Sequence, residues 1–284
     1  MGTVFSFALV PGTLPAAELW SAVSAACACL HEADATFSTW DPGSPVSRYR
    51  RGEADLAGLP AEVTEVVAAC RAARQASGGW FDPWAMPGGF DPTGLVKGWA
   101  VDRALAILRG AGLPAAMING GGDLAVFGRP GPGQRWRAGI RHPWRADALA
   151  GVVEVTAAMA TSGSYERGPH LIDPATGQPA CRAASATVTG PELALADALA
   201  TALAVGGDDA LPAVTAARGY AAYLIRPDGS ETTAGPISFV TGQGRSGGGG
   251  PRCGRQEQSV AMLECGRPVY GCAVCPASAT PAPD

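Results

Sequence analysis

Residues 78–103 read GGWFDPWAMPGGFDPTGLVKGWAVDR, and we expect the chain to be organised around them. Two Phe-Asp-Pro triplets, at 81–83 and 90–92, precede Lys97-Gly98, where we expect a helix to begin. Lys97 is the only lysine among the 21 lysines and arginines of the chain. An ammonium group is a compact point charge that suits a phosphate or carboxylate where a planar guanidinium would not fit. Asp91, Gly94, Lys97 and Gly98 lie on one turn, which brings backbone donors, a cation and a carboxylate within reach of one another and favours a functional Lys97; a solvated lysine at a helix start is the alternative.

The composition predicts a protein with a substantial core and excludes two classes of partner. The chain has 284 residues, 47% of them apolar, which is enough for one large domain or two small ones. Its net charge of -4 provides no basic surface for nucleic acid or an anionic membrane. No apolar run approaches the roughly 18 residues of a membrane span, and MGTVFSFALV at the start shows neither a signal peptide nor a lipobox. We therefore expect a cytoplasmic protein.

Hydrophobic periodicity and turn signals predict one α/β (α+β) domain over residues 1–241. Strands are expected near residues 3–10, 115–118, 124–127, 136–140, 152–155, 185–189 and 221–226, and helices at 15–33, 61–77, 98–109, 193–205 and 208–218. Residues 37–49, rich in hydroxyls and turn formers, are expected to form a loop. Several strands are joined by turns too short for a helical crossover, so the mixed sheet should be largely antiparallel, with flanking helices.

The segment 242–284 differs in composition from the rest of the chain. It is rich in Gly, Arg, Ser and Pro without periodicity, so we expect a low-complexity, disordered tail. Cys253, Cys265, Cys272 and Cys275 lie in it, and only the last two form a Cys-x-x-Cys pair. A zinc ribbon requires two such pairs, so a metal site in the tail is the less favoured alternative.

An acidic residue lies inside the most apolar predicted helix. Asp197 and Thr201 are four residues apart in the helix at 193–205, which places a carboxylate and a hydroxyl on one face. Because the residues around Asp197 are apolar, we expect this face to lie inside the protein. A buried carboxylate is costly unless it is paired or binds a metal. The alternative is a charge near a helix N-terminus, stabilised by the helix dipole.

Six short motifs follow one another over residues 1–206. They read FSTW at 37–40, GWFDPW at 79–84, FDPTGLVKGWAVD at 90–102, NGGGD at 119–123, ATSGSYER at 160–167 and HLIDPATG at 170–177. Their order and spacing resemble the ApbE family of flavin transferases. The chain departs from the family pattern at Trp40 and Arg50, where the family has Tyr and Asn, and at 91–93, where Asp-Pro-Thr replaces Asp-Leu-Gly. The segment that usually separates the second and third motifs is almost absent.

The resemblance implies a Mg²⁺-dependent FAD:protein FMN transferase. Such an enzyme breaks the FAD pyrophosphate, releases AMP and attaches FMN through a phosphoester to a threonine or serine of a target flavoprotein. The resemblance implies metal ligands at the Gly94 carbonyl, the Asp197 carboxylate and the Thr201 hydroxyl, which are the oxygen ligands that Mg²⁺ prefers. It implies flavin contacts at Met1, Trp40, Trp80, Phe81, Asp82, Asp91, Lys97 and Ile172.

The expected general base is His170. Accepting a proton from a hydroxyl requires a base with a pKa near neutrality, which makes histidine the default. The chain has three histidines: His31 in a predicted helix, His142 in an arginine-rich loop and His170 in a motif of the family. An ordinary hydrogen-bonded strand histidine is the alternative for His170.

Two other functions compete with the transferase. An FAD pyrophosphatase would use the same metal and base with water in place of the acceptor hydroxyl. A flavin-binding or carrier protein without catalysis is favoured by the shortened middle segment and opposed by the Asp197–Thr201 pair and His170. A plain binding module with a glycine-rich turn at 119–123 does not account for Lys97 or for the order of the motifs.

Overall fold

A computed structural model describes residues 3–163, 171–240 and 261–264. The helices within these ranges are α1 (Ala16–Thr36), α2 (Pro45–Arg50), α3 (Ala61–Ala76), α4 (Thr93–Gly110), α5 (Leu193–Gly206) and α6 (Leu211–Ala216), with 3-10 turns at Leu56–Gly58 and Gly207–Asp209. The strands are β1 (Phe5–Val10), β2 (Ala115–Gly120), β3 (Asp123–Phe127), β4 (Trp136–His142), β5 (Arg145–Val155), β6 (Ala158–Ser162), β7 (Ile172–Asp173), β8 (Gln178–Pro179), β9 (Ser185–Gly190), β10 (Ala221–Ile225), β11 (Glu231–Ala234) and β12 (Ala261–Glu264).

Eight of these strands form one sheet in the order β11-β10-β9-β6-β3-β2-β1-β12. Every neighbouring pair is antiparallel, which confirms the predicted largely antiparallel sheet. Successive side chains of a strand point to opposite faces, so the sheet separates two layers of core. On β1, Phe7 and Leu9 pack into the core on the helical side, and Ala8 packs into the core on the other side.

Helix α5 lies between the sheet and the other helices. It contacts β6 and β9 of the sheet and also α3 and α4. A helix that is apolar around its whole circumference belongs in a core, and 11 of the 14 residues of α5 are buried. Asp197 in the middle of this helix is only 4% exposed, which confirms that its face lies inside the protein.

The prediction that the strands near 136–140 and 152–155 join the main sheet is wrong. They form β4 and β5 of a separate two-stranded sheet. Buried Trp136, Ala138 and Ile140 alternate along β4 with exposed residues, as expected of a hairpin that covers a core with one face only. Strand β6, which the sequence analysis interpreted only as part of a motif, lies beside β3 in the main sheet instead.

The largest differences from the predicted helices occur at three places. Helix α4 begins at Thr93, five residues before the predicted start, because the Asp91 carboxylate accepts a hydrogen bond from the Thr93 N–H and Gly98 lies inside the helix for a packing reason given below. Helix α2 forms within the predicted loop, where Ser44 caps it: the Ser44 hydroxyl accepts a hydrogen bond from the Ser47 N–H at 3.1 Å. The last predicted helix, at 208–218, is divided into a 3-10 turn and α6.

Strand β12 lies at one edge of the main sheet, where Ala261–Glu264 pair with residues 6–9 of β1. The free edge of β1 would otherwise present unpaired N–H and C=O groups. The structure therefore differs, at these four residues, from the expected tail without secondary structure. The rest of 242–284 lies outside the described residues, and the division into 1–241 and 242–284 stays a prediction. No helix in the described part of the chain combines the length and apolarity needed to cross a membrane.

Candidate active site

An open cleft of about 850 Å³, including the space at its mouth, collects most of the residues that the sequence singles out. Its lining comes from the loop before α4, the first two turns of α4, the middle of α5, and the end of β6 with the start of β7. Of the predicted site residues, it is lined by Trp80, Phe81, Asp82, Asp91, Gly94, Lys97, Ile172, Asp197 and Thr201. Residues that are far apart in the chain therefore meet at one place.

The three predicted metal ligands lie where α4 approaches α5. Gly94 packs so closely against α5 that an added Cβ would lie 3.4 Å from the Thr201 hydroxyl oxygen and 3.0 Å from the Phe81 ring. The Thr201 hydroxyl is also 3.5 Å from that of Ser162 at the end of β6. Asp197, one turn before Thr201, lines the same cleft. A larger residue at position 94 would fill the space between the backbone of α4 and the hydroxyl.

The Lys97 ammonium lies between two carboxylates, that of Asp197 in the lining of the cleft and that of Asp123 behind the lining. Its Nζ pairs with Oδ2 of Asp123, and it lies 3.9 Å from Oδ2 of Asp197. The two carboxylates come from different elements, β3 and α5, so the ammonium joins the sheet to the buried helix. The planar guanidinium of arginine differs from the lysine ammonium in size and geometry. This difference gives a physical reason why position 97 has a lysine in a chain whose other basic residues of this class are all arginines.

Asp123 is the residue of this group that the sequence analysis missed. It ends the glycine-rich 119–123 turn and is only 2% exposed. Its Oδ1 accepts a hydrogen bond from the Thr161 N–H at 2.8 Å, while its Oδ2 pairs with Lys97. The signal that could have found it is an acidic residue at the start of a wholly apolar strand, since a buried carboxylate requires a partner.

A second contact between α4 and α5 lies at the N-terminus of α5. The Asp102 carboxylate accepts hydrogen bonds from the Leu193 N–H at 3.1 Å and the Ala194 N–H at 2.9 Å, so that a side chain of α4 caps α5. Gly98 lies one turn earlier on the same face, where an added Cβ would be 2.5 Å from the Leu193 carbonyl oxygen. Burial raises the pKa of Asp102 from its ordinary 3.8 to about 6, and the two N–H donors oppose this rise.

The aromatic part of the cleft is held by its own hydrogen bonds. The Ser77 hydroxyl accepts from the Phe81 N–H at 3.1 Å. Asp82, predicted to contact flavin, forms an ion pair with Arg74 at 2.6 Å and accepts from the Trp84 N–H at 3.0 Å. These contacts fix the turn that carries Phe81 into the core. Asp82 therefore already has a structural role.

Trp80 is held between the end of α5 and an arginine. An added Cβ at Gly206 would lie 2.7 Å from the indole ring. On the ring, the central carbon of the Arg182 guanidinium lies 5.1 Å from the centroid, a cation–π contact. Arg182 in turn pairs with Asp209 at 2.7 Å. The Trp80 indole, which lines the cleft, is therefore packed against both Gly206 and Arg182.

Asp91 links the loop before α4 to the helix itself. Its Oδ1 accepts from the Thr93 N–H at 3.0 Å, and its Oδ2 is 4.0 Å from the Arg50 guanidinium. Arg50, which replaces an asparagine of the family pattern, also donates from Nε to the Gly88 carbonyl at 2.7 Å. Arg50 therefore ties α2 to the loop before α4.

Three predicted site residues are absent from the lining that the structure describes. Trp40 is 95% exposed in the loop between α1 and α2 and does not line the cleft. Met1 and His170 lie outside the described residues; in sequence, His170 directly precedes Leu171, which lines the cleft. The roles of all three stay predictions.

The donor set at the α4–α5 contact fits a magnesium ion that also binds a substrate. Among the described residues, no group of three or more His, Cys, Asp and Glu side chains could hold a metal by itself. The predicted oxygen ligands are the Asp197 carboxylate, the Thr201 hydroxyl and the Gly94 carbonyl, and all three residues line the cleft. Mg²⁺ commonly binds through one or two carboxylates together with water and substrate phosphates, so this set suits it.

Comparison with known proteins identifies the family of this fold and site. A model of the ApbE family matches residues 1–88 and 86–224. The chain belongs to the ApbE family. The match covers every element that lines the cleft, including the loop before α4 and helix α5.

Two curated relatives of this ApbE chain are named FAD:protein FMN transferase. That of Rhodobacter capsulatus is 39% identical over an alignment of 144 positions, and the match covers 47% of this chain and 27% of the relative. That of Vibrio cholerae is 34% identical over an alignment of 148 positions, and the match covers 48% of this chain and 44% of the relative. The aligned part thus spans less than half the length of either relative.

Solved ApbE structures share the fold over most of the chain. The flavinyl transferase ApbE of Pseudomonas stutzeri, in its apo form, matches with a TM-score of 0.68 and 27% identity over 82% of this chain and 92% of that one. The flavin transferase ApbE of Vibrio cholerae matches with a TM-score of 0.69 and 22% identity over 82% and 94%. The two solved structures therefore have the same fold as the described residues, although the sequences are only 22% and 27% identical.

Proposed function

We propose that this chain is a Mg²⁺-dependent FAD:protein FMN transferase. The observation that carries the proposal is the meeting, in one cleft, of an aromatic wall, a lysine and an oxygen donor set. Trp80 and Phe81 belong to the aromatic wall, Lys97 supplies the cation, and Asp197 with Thr201 supplies the oxygens. The curated relatives named for this activity include one that is 39% identical over an alignment covering 47% of the chain, which supports the same assignment.

The aromatic wall suits the flat ring systems of FAD. Aromatic side chains stack on planar π-systems, and a supported indole loses little freedom when it binds one. Trp80, held between Gly206 and Arg182, is suited to this task. Pro83 and Met86 extend the same side of the cleft with apolar surface.

The charged part of the cleft suits the pyrophosphate. Phosphoryl transfer depends mainly on positioning and on neutralising the phosphate oxygens. Asp197, Thr201 and the Gly94 carbonyl would hold Mg²⁺, which when bound supplies positive charge to the pyrophosphate. Lys97 adds a second cation to the same wall. Helix α4 begins at Thr93, and the N–H groups of its first turn favour an anion placed beside them.

The acceptor is a threonine or serine hydroxyl of a target flavoprotein. The reaction forms a bond between that hydroxyl oxygen and the FMN phosphorus, breaks the pyrophosphate bond to AMP, and releases the hydroxyl proton. His170 is the residue that we propose as the base for this proton. It directly precedes Leu171 of the cleft in sequence.

Transfer is tested with FAD, Mg²⁺ and a flavoprotein fragment that carries the short Ser/Thr-Gly-Ala-Thr-like acceptor site that the resemblance to the ApbE family implies. We expect covalent FMN on the fragment by intact-protein mass spectrometry and AMP in equal amount by chromatography. The matched control is the same fragment with its acceptor threonine replaced by alanine. FMN and AMP released without a protein adduct would instead identify a pyrophosphatase. FAD binding without either product would identify a flavin-binding protein.

A further inference from the structure

Lys97 stands between two carboxylates that differ in what surrounds them. Asp197 lines the cleft, together with Thr201 and Gly94. Asp123 is not part of the lining; it lies behind it, 2% exposed, at the start of β3. The Lys97 ammonium pairs with Oδ2 of Asp123 and lies 3.9 Å from Oδ2 of Asp197.

Asp123 is itself held rigidly. Its second oxygen accepts the Thr161 N–H at 2.8 Å, and β3 and β6 are neighbours in the sheet through the Leu124–Met159 and Ala125–Ala158 pairs. The carboxylate is therefore fixed by the sheet, whereas lysine has a flexible four-carbon stem. Because Asp123 is fixed and the lysine side chain is flexible, the position of Asp123 determines where the Lys97 ammonium lies.

We propose that Asp123 is a positioning residue that holds the Lys97 ammonium away from Asp197 and so leaves the Asp197 carboxylate available to a divalent cation. The inference rests on the magnesium part of the proposed function. Without the Asp123 charge, the ammonium still has the Asp197 carboxylate within ion-pair distance, at 3.9 Å. An ammonium paired directly with Asp197 occupies the oxygen that the metal requires.

The charges of the three residues give the expected direction of each change. Together Lys97, Asp123 and Asp197 carry one net negative charge. Asp123→Asn leaves the group neutral with the ammonium drawn to Asp197, so cation binding weakens. Removing the lysine as well returns the group to one net negative charge on Asp197 alone, so cation binding recovers.

Binding of Mn²⁺ to the whole chain tests this without turnover. Mn²⁺ shares the preference of Mg²⁺ for oxygen ligands, and the electron paramagnetic resonance signal of the free ion reports binding. We expect Asp123→Asn to weaken Mn²⁺ binding by about 10- to 100-fold, the range for partners that orient a metal ligand. The matched control is Glu154→Gln, which removes an ion-paired carboxylate from the β4–β5 hairpin and should leave Mn²⁺ binding unchanged.

The double variant Lys97→Met/Asp123→Asn separates competition from simple damage. We expect it to recover most of the affinity lost in Asp123→Asn. Equal weakening in the single and double variants would show that Asp123 only supports the fold and would overturn the inference. If Asp123→Asn does not fold, Lys97→Met alone decides: competition predicts Mn²⁺ binding at least as tight as in the parent, and weaker binding would overturn the proposal.

The parent protein distinguishes failure of this inference from failure of the proposed function. If the parent binds Mn²⁺ and transfers FMN while Asp123→Asn binds Mn²⁺ equally well, only the positioning role is wrong. If the parent binds no Mn²⁺ with or without FAD, the magnesium part of the proposed function fails and the positioning role fails with it.

Discussion

Helices α4 and α5 contact each other at two places. At each place α4 contributes a glycine and a charged residue, but the two places contact different parts of α5. At the N-terminal end of α5, Gly98 and Asp102 touch the backbone of Leu193 and Ala194. Further along α5, Gly94 and Lys97 meet side chains of α5, those of Thr201 and Asp197. The first end contacts backbone atoms, and the second contacts functional groups that line the cleft.

The difference shows how one helix serves both as scaffold and as part of a site. Gly94 and Gly98 lie on one face of α4, and both allow close approach of α5, but only Gly94 lies in the cleft. The Asp102 carboxylate is stabilised by two N–H dipoles, and burial raises its pKa. The Asp123 carboxylate is stabilised by a full positive charge as well as an N–H. Changes at the backbone end should therefore alter stability, and changes at the cleft end should alter chemistry.

The largest effect is expected at the cleft end, from Asp197→Asn. The change keeps the shape of the side chain and removes the anionic ligand, so FMN transfer should fall by orders of magnitude while FAD binding falls much less. High Mg²⁺ should restore part of the activity by mass action. The measurement is a Mg²⁺ titration of turnover beside a melting curve for the parent and the variant.

Thr201→Val provides the graded comparison for that experiment. It removes one neutral ligand at nearly equal volume, so the loss of activity and the shift in Mg²⁺ requirement should both be smaller than for Asp197→Asn. If the melting temperature changes in both variants but their Mg²⁺ requirement stays that of the parent, the metal-site hypothesis is wrong.

The second effect, at the backbone end, is expected from Gly98→Ala. The added methyl would lie 2.5 Å from the Leu193 carbonyl oxygen, so α4 and α5 must separate. Overpacking of this kind costs about 1–3 kcal/mol or more, which exceeds the roughly 0.5–1 kcal/mol that alanine gains over glycine inside a helix. We expect a lower free energy of unfolding in urea.

Gly110→Ala is the matched control for this change. Gly110 lies in the last turn of the same helix, and an added Cβ there meets nothing within 4 Å. It should be neutral or slightly stabilising. If Gly98→Ala were as stable as Gly110→Ala, the close approach of the two helices at Gly98 would not constrain the fold.

The sequence predicts where helices and strands lie along the chain better than it predicts which residues contact each other in the fold. Asp197 is identified as buried because the residues on either side of it in the helix are all apolar. Asp102 is not identified as a cap, because its partners, Leu193 and Ala194, lie far along the chain from it. The same is true of Asp123, whose partners lie on α4 and β6. Pairing across such separations depends on the order of strands and helices, which periodicity does not contain.

The position of the β4–β5 hairpin could not be predicted for a related reason. Alternation along β4 indicates one buried face, and both a strand of the main sheet and a covering hairpin satisfy it. The choice depends on β6, which occupies the place beside β3. Strand β6 is short, and its apolar residues do not alternate with polar ones. Periodicity alone therefore does not identify it as a strand.

The smallest effect at neutral pH is expected from Asp102→Asn, and its signature is the pH dependence of stability. The folded-state pKa of Asp102, about 6, lies above the ordinary 3.8, so folding favours the protonated form. The stability that this group contributes is therefore fully present below about pH 3.8 and is lost as pH rises through about 6. The rise in pKa corresponds to at most roughly 3 kcal/mol.

Asn resembles the neutral acid and does not titrate, so the slope of unfolding free energy against pH between about 4 and 6 should flatten in the variant. At pH 7 two effects oppose each other, since the variant loses a hydrogen bond to α5 but no longer buries a charge, and the net change should be within about 1 kcal/mol. Urea unfolding of parent and variant at several pH values measures the slope. Parallel stability curves for the two proteins would show that another group titrates in this range and that Asp102 does not carry the predicted charge penalty.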